Sequence, residues 1–144
     1  MPKPSRRAAL TARSADRHAL YEAAVQDPER DVRLLERIHA RVAKRPLRVF
    51  REDFCGTAAL SATFVRRGEG RRAIGVDLDA STLAWGRRAH LAPLPPETRA
   101  RVSLVRADVR APSRVRADLT AAFNFSWQVF RAREDLHAYF RSAL

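Results

Sequence analysis

The sequence predicts an α/β fold built on a parallel sheet. Three observations predict it. From residue 47 onward, short apolar runs with strand patterning alternate with stretches of helical periodicity. The first run ends in a turn of small residues, and an acidic residue, Asp77, follows Gly56 by 21 positions. The last run, Leu119 to Phe125, is apolar almost throughout, as a parallel strand buried on both faces should be.

Each element has its own local reason. Ser14 can cap a helix from Ala15 to about Val25, with Leu20, Tyr21 and Ala24 near one face. Asp27-Pro28 reads as the N-cap and first position of a second helix. Its apolar set, Val32, Leu35, Ile38 and Val42 with Leu34 beside it, makes one buried stripe. Pro46 ends that helix. A strand through Leu47, Val49 and Phe50 follows, and Glu52 to Ala58 make a tight turn. Ala59 to Arg67 form a helix on Leu60, Phe64 and Val65, stopped by Gly68 and Gly70. Ala73 to Val76 form a second strand ending on Asp77. Ser81 caps a helix that turns Leu83, Ala84 and Trp85 inward. Pro93, Pro95 and Pro96 make a loop of Leu91 to Ala100. Arg101 to Ala107 alternate as a third strand ending at Asp108, and Leu119 to Phe125 form the fourth after a break at Ala111-Pro112-Ser113. Ala132 to Leu144 form a last helix on Leu136, Tyr139, Phe140 and Leu144. There are no internal repeats and no low-complexity tract.

The turn and the acidic residue define the candidate site. Parallel sheets bind ligands in the crevice at the carboxyl ends of their strands. Small residues in the first turn bring backbone amides to the ligand at a helix N-terminus. A carboxylate about 20 residues later can accept hydrogen bonds from both hydroxyls of a ribose. Only Gly56 is a glycine here; Phe54 and Ala58 stand where flanking glycines of a dinucleotide-binding turn would be. Their absence argues against a bound pyrophosphate and leaves room for a ribonucleoside without one.

These residues resemble the motifs of the class I S-adenosylmethionine-dependent methyltransferases. The family's first motif is an acidic residue followed by glycine-x-glycine-x-glycine, and Glu52, Phe54, Gly56 and Ala58 occupy those places. Gly75-Val76-Asp77-Leu78-Asp79 is similar to its second motif, Arg106-Ala107-Asp108-Val109 to its third, and Asp118 to Ser126 to its fourth. The resemblance covers roughly residues 15–144. It implies a Rossmann-like sheet flanked by helices. The family's full strand order is 3-2-1-4-5-7-6, of which this chain holds 3-2-1-4. Residues 1–13 then read as a basic arm and 14–144 as a methyltransferase-like domain: 14–45 the leading helices, 46–144 an incomplete Rossmann-like core.

The resemblance also implies S-adenosyl-L-methionine as cofactor, with Glu52, Asp53, Cys55, Gly56, Thr57, Asp77, Leu78, Asp108, Val109 and Asn124 around it. Asp77 would accept the ribose hydroxyls or serve as a structural cap. Asp108 would reach the adenine amino group or hold a turn. Glu52 or Asp53 would hold the amino group of the methionyl part or fix the loop. Asn124 would lie beside the methyl group. The leading helices would cover the pocket, with Tyr21 and Gln26 lining a lid or serving ordinary packing. Phe125, Trp127 and Phe130 would wall the acceptor site or fill the core. Strands five to seven are expected to be lost from the C-terminal side. That loss would leave strand four an exposed edge for self-association and this chain with weak or no methyl transfer.

Composition bounds the rest. The chain has 144 residues, 46% hydrophobic and 31% charged, which is enough for one globular domain. No apolar run reaches the length of a membrane span, and the basic start is not followed by a signal-type apolar region. Cys55 is the only cysteine, so no internal disulfide forms and a cytoplasmic location is expected. The formal charge of +12 comes from 26 arginines and 2 lysines spread along the chain, with no run of five and no aromatic interleaving. Nucleic acid is therefore not the favoured partner. Asn124-Phe125-Ser126-Trp127 is also unlike the Asn-Pro-Pro-Tyr motif of enzymes that methylate base amino groups. His18, His39, His90 and His137 have no metal-ligand spacing and read as surface or helix residues, so no metal is expected. Methyl transfer from a sulfonium needs no protein nucleophile, and Ser61 and Ser126 have no triad setting. The acceptor is small or unknown. The competing readings are a non-catalytic cofactor-binding remnant and a nicotinamide-dependent oxidoreductase, the latter disfavoured by Phe54 and Ala58.

Overall fold

The sheet consists of β1 (Val49–Asp53), β2 (Arg72–Asp77), β3 (Val102–Arg106) and β4 (Leu119–Ala122). All pairs are parallel, in the order β3-β2-β1-β4. This computed structural model describes Thr11 and residues 14–144; apart from Thr11, the basic arm expected at residues 1–13 lies outside the described residues. Helices α1 (Arg17–Val25) and α2 (Pro28–Ala43) precede the sheet. Helix α3 (Ala59–Arg66) links β1 to β2. Helix α4 (Ala80–Gly86), a π turn (Arg87–Leu91) and α5 (Pro96–Arg99) link β2 to β3. A 3-10 turn (Ser126–Val129) and α6 (Arg133–Ala143) follow β4.

Strand alternation sends neighbouring residues to opposite faces. Phe50 packs with Ala73 beneath Val32 and Leu35 of α2 and Leu60, Phe64 and Val65 of α3. The Phe50 and Phe64 rings lie 5.4 Å apart. Burying two such rings contributes roughly 1.5–3 kcal/mol each. On the other face Val76 packs with Val109 and with Tyr139 of α6, joined by Phe54 and Phe130. Beyond α6 that face stays open, leaving a groove of about 530 Å³ over Val49, Ile74, Val76 and Val105. Both β3 and β4 are edge strands.

Several boundaries differ from the sequence expectation. Helix α1 is capped by Asp16, which accepts from the amides of His18 at 2.8 Å and Ala19 at 3.2 Å, while Ser14 bonds back to Thr11. β1 extends through Glu52 and Asp53, which are therefore strand and not turn; pairing with β2 on one side and β4 on the other gives both residues ladder partners. β4 stops at Ala122, because Asn124 and Phe125 turn the chain with φ of 55° and 57°. Asp79, not Ser81, caps α4, accepting from the amides of Ser81 at 2.8 Å and Thr82 at 3.1 Å. The proline-rich loop contains α5. On α2 the buried stripe runs through Val32, Leu35 and His39, leaving Ile38 and Val42 exposed.

Helix α4 lies against the turn after β1. A Cβ on Gly86 would stand 2.1 Å from the carbonyl oxygen of Thr57. The obstacle is backbone, which cannot swing aside as a side chain would. Gly86→Ala is expected to destabilise the fold by about 3 kcal/mol. Urea denaturation tests this; an unchanged midpoint would show that α4 is free to move off the turn.

Candidate functional site

The turn from Phe54 to Ala58 has a repeating backbone. Phe54, Gly56 and Ala58 all have positive φ, at 56°, 54° and 59°. These are the three positions where the resemblance places glycines. A left-handed conformation costs a non-glycine residue about 1–2 kcal/mol. Burial offsets that cost: the Ala58 methyl is fully buried, and the Phe54 ring lies 5.9 Å from both Phe130 and Tyr139. The glycine-type backbone is thus present with glycine only at its centre. The missing glycines consequently do not by themselves exclude close approach of a ligand to this backbone.

Asp77 ties this turn to the end of β2. Its Oδ2 accepts from the Gly56 amide at 2.8 Å, and its Oδ1 accepts from the Asp79 amide at 2.9 Å. The carboxylate is half-buried. Two of its roughly four acceptor sites are used in this way. Leu78 beside it is 63% exposed.

A cavity of about 60 Å³ opens next to the turn, at the carboxyl ends of β1 and β4. Glu52, Cys55 and Gly56 line it, together with Phe123 and Asn124 from beyond β4 and Tyr21, Gln26 and Asp31 from the leading helical region. Glu52 is 5% exposed. Its Oε2 accepts from the Ser61 hydroxyl at 2.5 Å and the Ser61 amide at 3.0 Å. Burial pushes the Glu52 carboxyl up to about 7; the Ser61 bonds pull against this, and the charges of Asp77 and Asp31 add to it. Burial likewise raises the Asp31 carboxyl, Asp27 adding and Arg30 opposing. Burial and the surrounding carboxylates raise the Cys55 thiol, which keeps it protonated and unreactive.

Helix α1 closes the cavity without burying any residue of its own. Polar and ring contacts hold it. Glu22 Oε1 accepts from the Thr57 hydroxyl and meets His90 Nε2 at 2.6 Å. The His18 ring lies 5.2 Å from Trp85. The Asn124 amide donates to the Tyr21 hydroxyl at 3.5 Å.

The other expected site residues lie elsewhere. Asp53 faces away from the cavity, on the opposite side of the sheet from Glu52. It is fully buried and paired at 2.6 Å with Arg51, itself 3% exposed. Glu52 is thus the member of that acidic pair that lines the cavity. Burial raises the Asp53 carboxyl against the pull of Arg51. Val109 is buried, and its carbonyl accepts from Arg51 Nη2 at 3.0 Å and Ser142 Oγ at 2.9 Å. Asp108 is gripped by Arg110, whose Nη2 reaches Oδ2 at 2.6 Å, and Arg110 in turn reaches Asp135 of α6 at 2.5 Å. These bonds hold the Asp108 carboxyl below the usual carboxylate range. Phe125 and Trp127 are exposed, whereas Phe130 packs on Tyr139 at 5.4 Å. His39 is buried with neither ring nitrogen bonded. Asp31, Glu22 and Ser61 were not foreseen as site residues. Asp31 did carry a signal, since it sits one residue before Val32, at the edge of the apolar stripe of α2.

The chain matches no protein-family model and no curated protein sequence. It is similar in structure to the glycopeptide N-methyltransferase MtfA, with TM-score 0.65, 22% identity, and coverage of 90% of this chain and 56% of that one. It is also similar to CalS10, an amino pentose methyltransferase from Micromonospora echinaspora, at TM-score 0.69 and 18% identity over 88% of this chain and 49% of that one. A third likeness is to an S-adenosylmethionine-dependent methyltransferase from Clostridium acetobutylicum, at TM-score 0.69 and 17% identity, over 88% of this chain and 50% of that one. The fold is the Rossmann-like one of class I S-adenosylmethionine-dependent methyltransferases. The chain spans about half the length of the solved structures it matches.

The raised Glu52 carboxyl makes stability depend on pH. Between about 4.5 and about 7 the folded protein keeps a proton that the unfolded chain has released. This stabilisation is fully present below 4.5 and is lost as pH rises through 7. Glu52→Gln keeps the shape and does not titrate. Across that window the native chain should lose about 3 kcal/mol relative to the variant. Urea denaturation of both at several pH values checks this; parallel stability curves would show that Glu52 ionises normally.

Proposed function

We propose that this chain binds S-adenosyl-L-methionine and serves methyl transfer to a small acceptor. The observation that carries the reading is the hydrogen bond from Gly56 to Asp77. It places the turn after β1 beside a carboxylate that keeps acceptor capacity, at the carboxyl edge of a parallel sheet of methyltransferase fold. The residues fit the cofactor: a Cβ on Gly56 would meet only Thr82 Cγ2, at 3.9 Å, so the turn has open space over it. When bound, the cofactor supplies an electrophilic methyl group on a sulfonium. The protein's part is then to bind, orient and exclude water.

In this reading Asp77 receives the ribose hydroxyls and exposed Leu78 offers an apolar surface to the base. Cys55, Gly56 and Thr57 shape the turn beneath the ligand. Glu52, which faces the cavity, holds the amino group of the methionyl part, and Asn124 lies beside the methyl group. Asp108 and Val109 complete the base end, Asp108 held in place by Arg110. The neighbouring structures named for a glycopeptide and an amino pentose support a small acceptor rather than a nucleic acid.

Among the described residues the outer edge of β4 is unpaired, which supports a second element of the proposal, association of copies of this chain. Unpaired strand edges recruit further strands.

Asp77→Ala should weaken binding of S-adenosylmethionine by about 1–3 kcal/mol, because ribose hydroxyls lose a charged acceptor. Calorimetric titration measures this, and an unchanged affinity removes Asp77 from the site. Sedimentation of the purified chain should show concentration-dependent association. A monomer at every concentration would overturn the edge pairing.

A further inference from the structure

Helix α1 is fastened by histidines in a chain rich in arginine. It buries no residue of its own, so a few side-chain contacts decide whether it stays docked. Glu22 makes two of them: its Oε1 lies 2.6 Å from His90 Nε2 of the π turn and also accepts from the Thr57 hydroxyl. The sequence holds 26 arginines and 2 lysines, yet among the described residues none of them bridges to Glu22. A second imidazole, His18 of α1, has its ring 5.2 Å from Trp85, and His90 lies 5.7 Å from the same indole. Two titratable rings thus flank Trp85 where α1 meets α4 and the π turn.

The other charges near His90 have their own partners. Its groove is shared with Glu29 of α2 and Arg66 of α3, which stand 3.9 Å apart, and Arg67 reaches Glu29 at 3.2 Å. On the π turn itself Arg87 donates to the Leu104 carbonyl at 3.1 Å, and Arg88 is exposed. On α1, Asp16 caps the helix. Asp31 and Glu52 line the cavity that Tyr21 of α1 also lines. Glu22 therefore has His90 as its cationic partner. The two side chains are 19% and 24% exposed, which limits screening of the pair.

Histidine side chains change charge between about pH 5 and pH 8. A hydrogen bond between two charged groups is roughly twice as strong as a neutral one. On the acid side of that range imidazolium faces carboxylate. On the alkaline side His90 Nε2 offers at most a neutral donor. The pair is thus strong at low pH and weakens as pH rises. Protonated His18 beside the Trp85 ring acts in the same direction.

We propose that α1 is a pH-sensitive clasp, held by Glu22 on protonated His90 and released as His90 loses its proton. Because Tyr21 of α1 lines the cavity at the strand ends, release of the helix opens that side of the site. Control of ligand exchange rests on the cofactor reading; docking of α1 does not.

The test is amide hydrogen exchange of the whole chain at about pH 5.5 and about pH 8, corrected for the intrinsic effect of pH. Opening of α1 should be about tenfold more frequent at the higher pH. His90→Gln should open as often at the lower pH as at the higher. His90→Arg should keep α1 protected at both. Glu52→Gln should leave the native dependence in place, since Glu52 titrates in the same range. Protection of α1 indifferent to pH, a dependence that survives His90→Gln in a variant with native-like spectra, or one abolished by Glu52→Gln overturns the proposal. A second arm measures dissociation of S-adenosylhomocysteine by stopped flow. Release should quicken about tenfold from the lower pH to the higher in the native chain and stay constant in His90→Arg. Binding with the same pH dependence of release in both overturns control of exchange by the clasp. Failure of the cofactor reading would show separately, as no binding of S-adenosylhomocysteine with the pH-dependent exchange of α1 intact.

Discussion

The hydrogen bond between the Gly56 amide and the Asp77 carboxylate sets the geometry of the region around it. It joins the turn after β1 to the end of β2, two elements 21 residues apart in sequence. With that turn held, α3 starts from a left-handed Ala58 and runs back over Phe50. Helix α4 can then press its Gly86 backbone onto Thr57. Cys55 sits against Gly75 for the same reason: a Cβ there would lie 2.8 Å from its sulfur. A carboxylate at this point therefore organises backbone.

Strand alternation gives the neighbouring carboxylates Glu52 and Asp53 opposite surroundings. Asp53 meets a guanidinium on the α6 side, so its charge is matched within the fold. Glu52 meets only a serine hydroxyl and amide, with two further carboxylates nearby. The first is a buried ion pair within the fold, the second a carboxyl poised near neutrality and open to a small cavity. The separation follows from the pleat, which sends successive side chains to opposite faces.

Helix α1, beside that cavity, is held differently from the core. Helices α2 and α3 are held by buried apolar side chains, whereas α1 buries none and is tied through Glu22, His18 and Tyr21. Elements fixed by few polar contacts open at lower free energy than packed ones.

The sequence by itself determined the order of the main elements, the parallel sheet and the spacing that sets Asp77 at the end of the strand after the Gly56 turn. Those features follow from local periodicity, capping chemistry and a fixed spacing along the chain. Asp27 and Pro28 start α2 as their chemistry predicts. Tertiary structure decided which acidic residue faces the cavity, since β1 ran on through Glu52 and Asp53 once both of its neighbours paired with it. It gave Phe54 and Ala58 glycine-like backbone angles, because packing of their side chains outweighs a local preference of about 1–2 kcal/mol. It also brought Asp31 to the cavity and clamped Asp108 to Arg110. Such long-range meetings depend on how helices seat against the sheet, and no single stretch of residues encodes that seating.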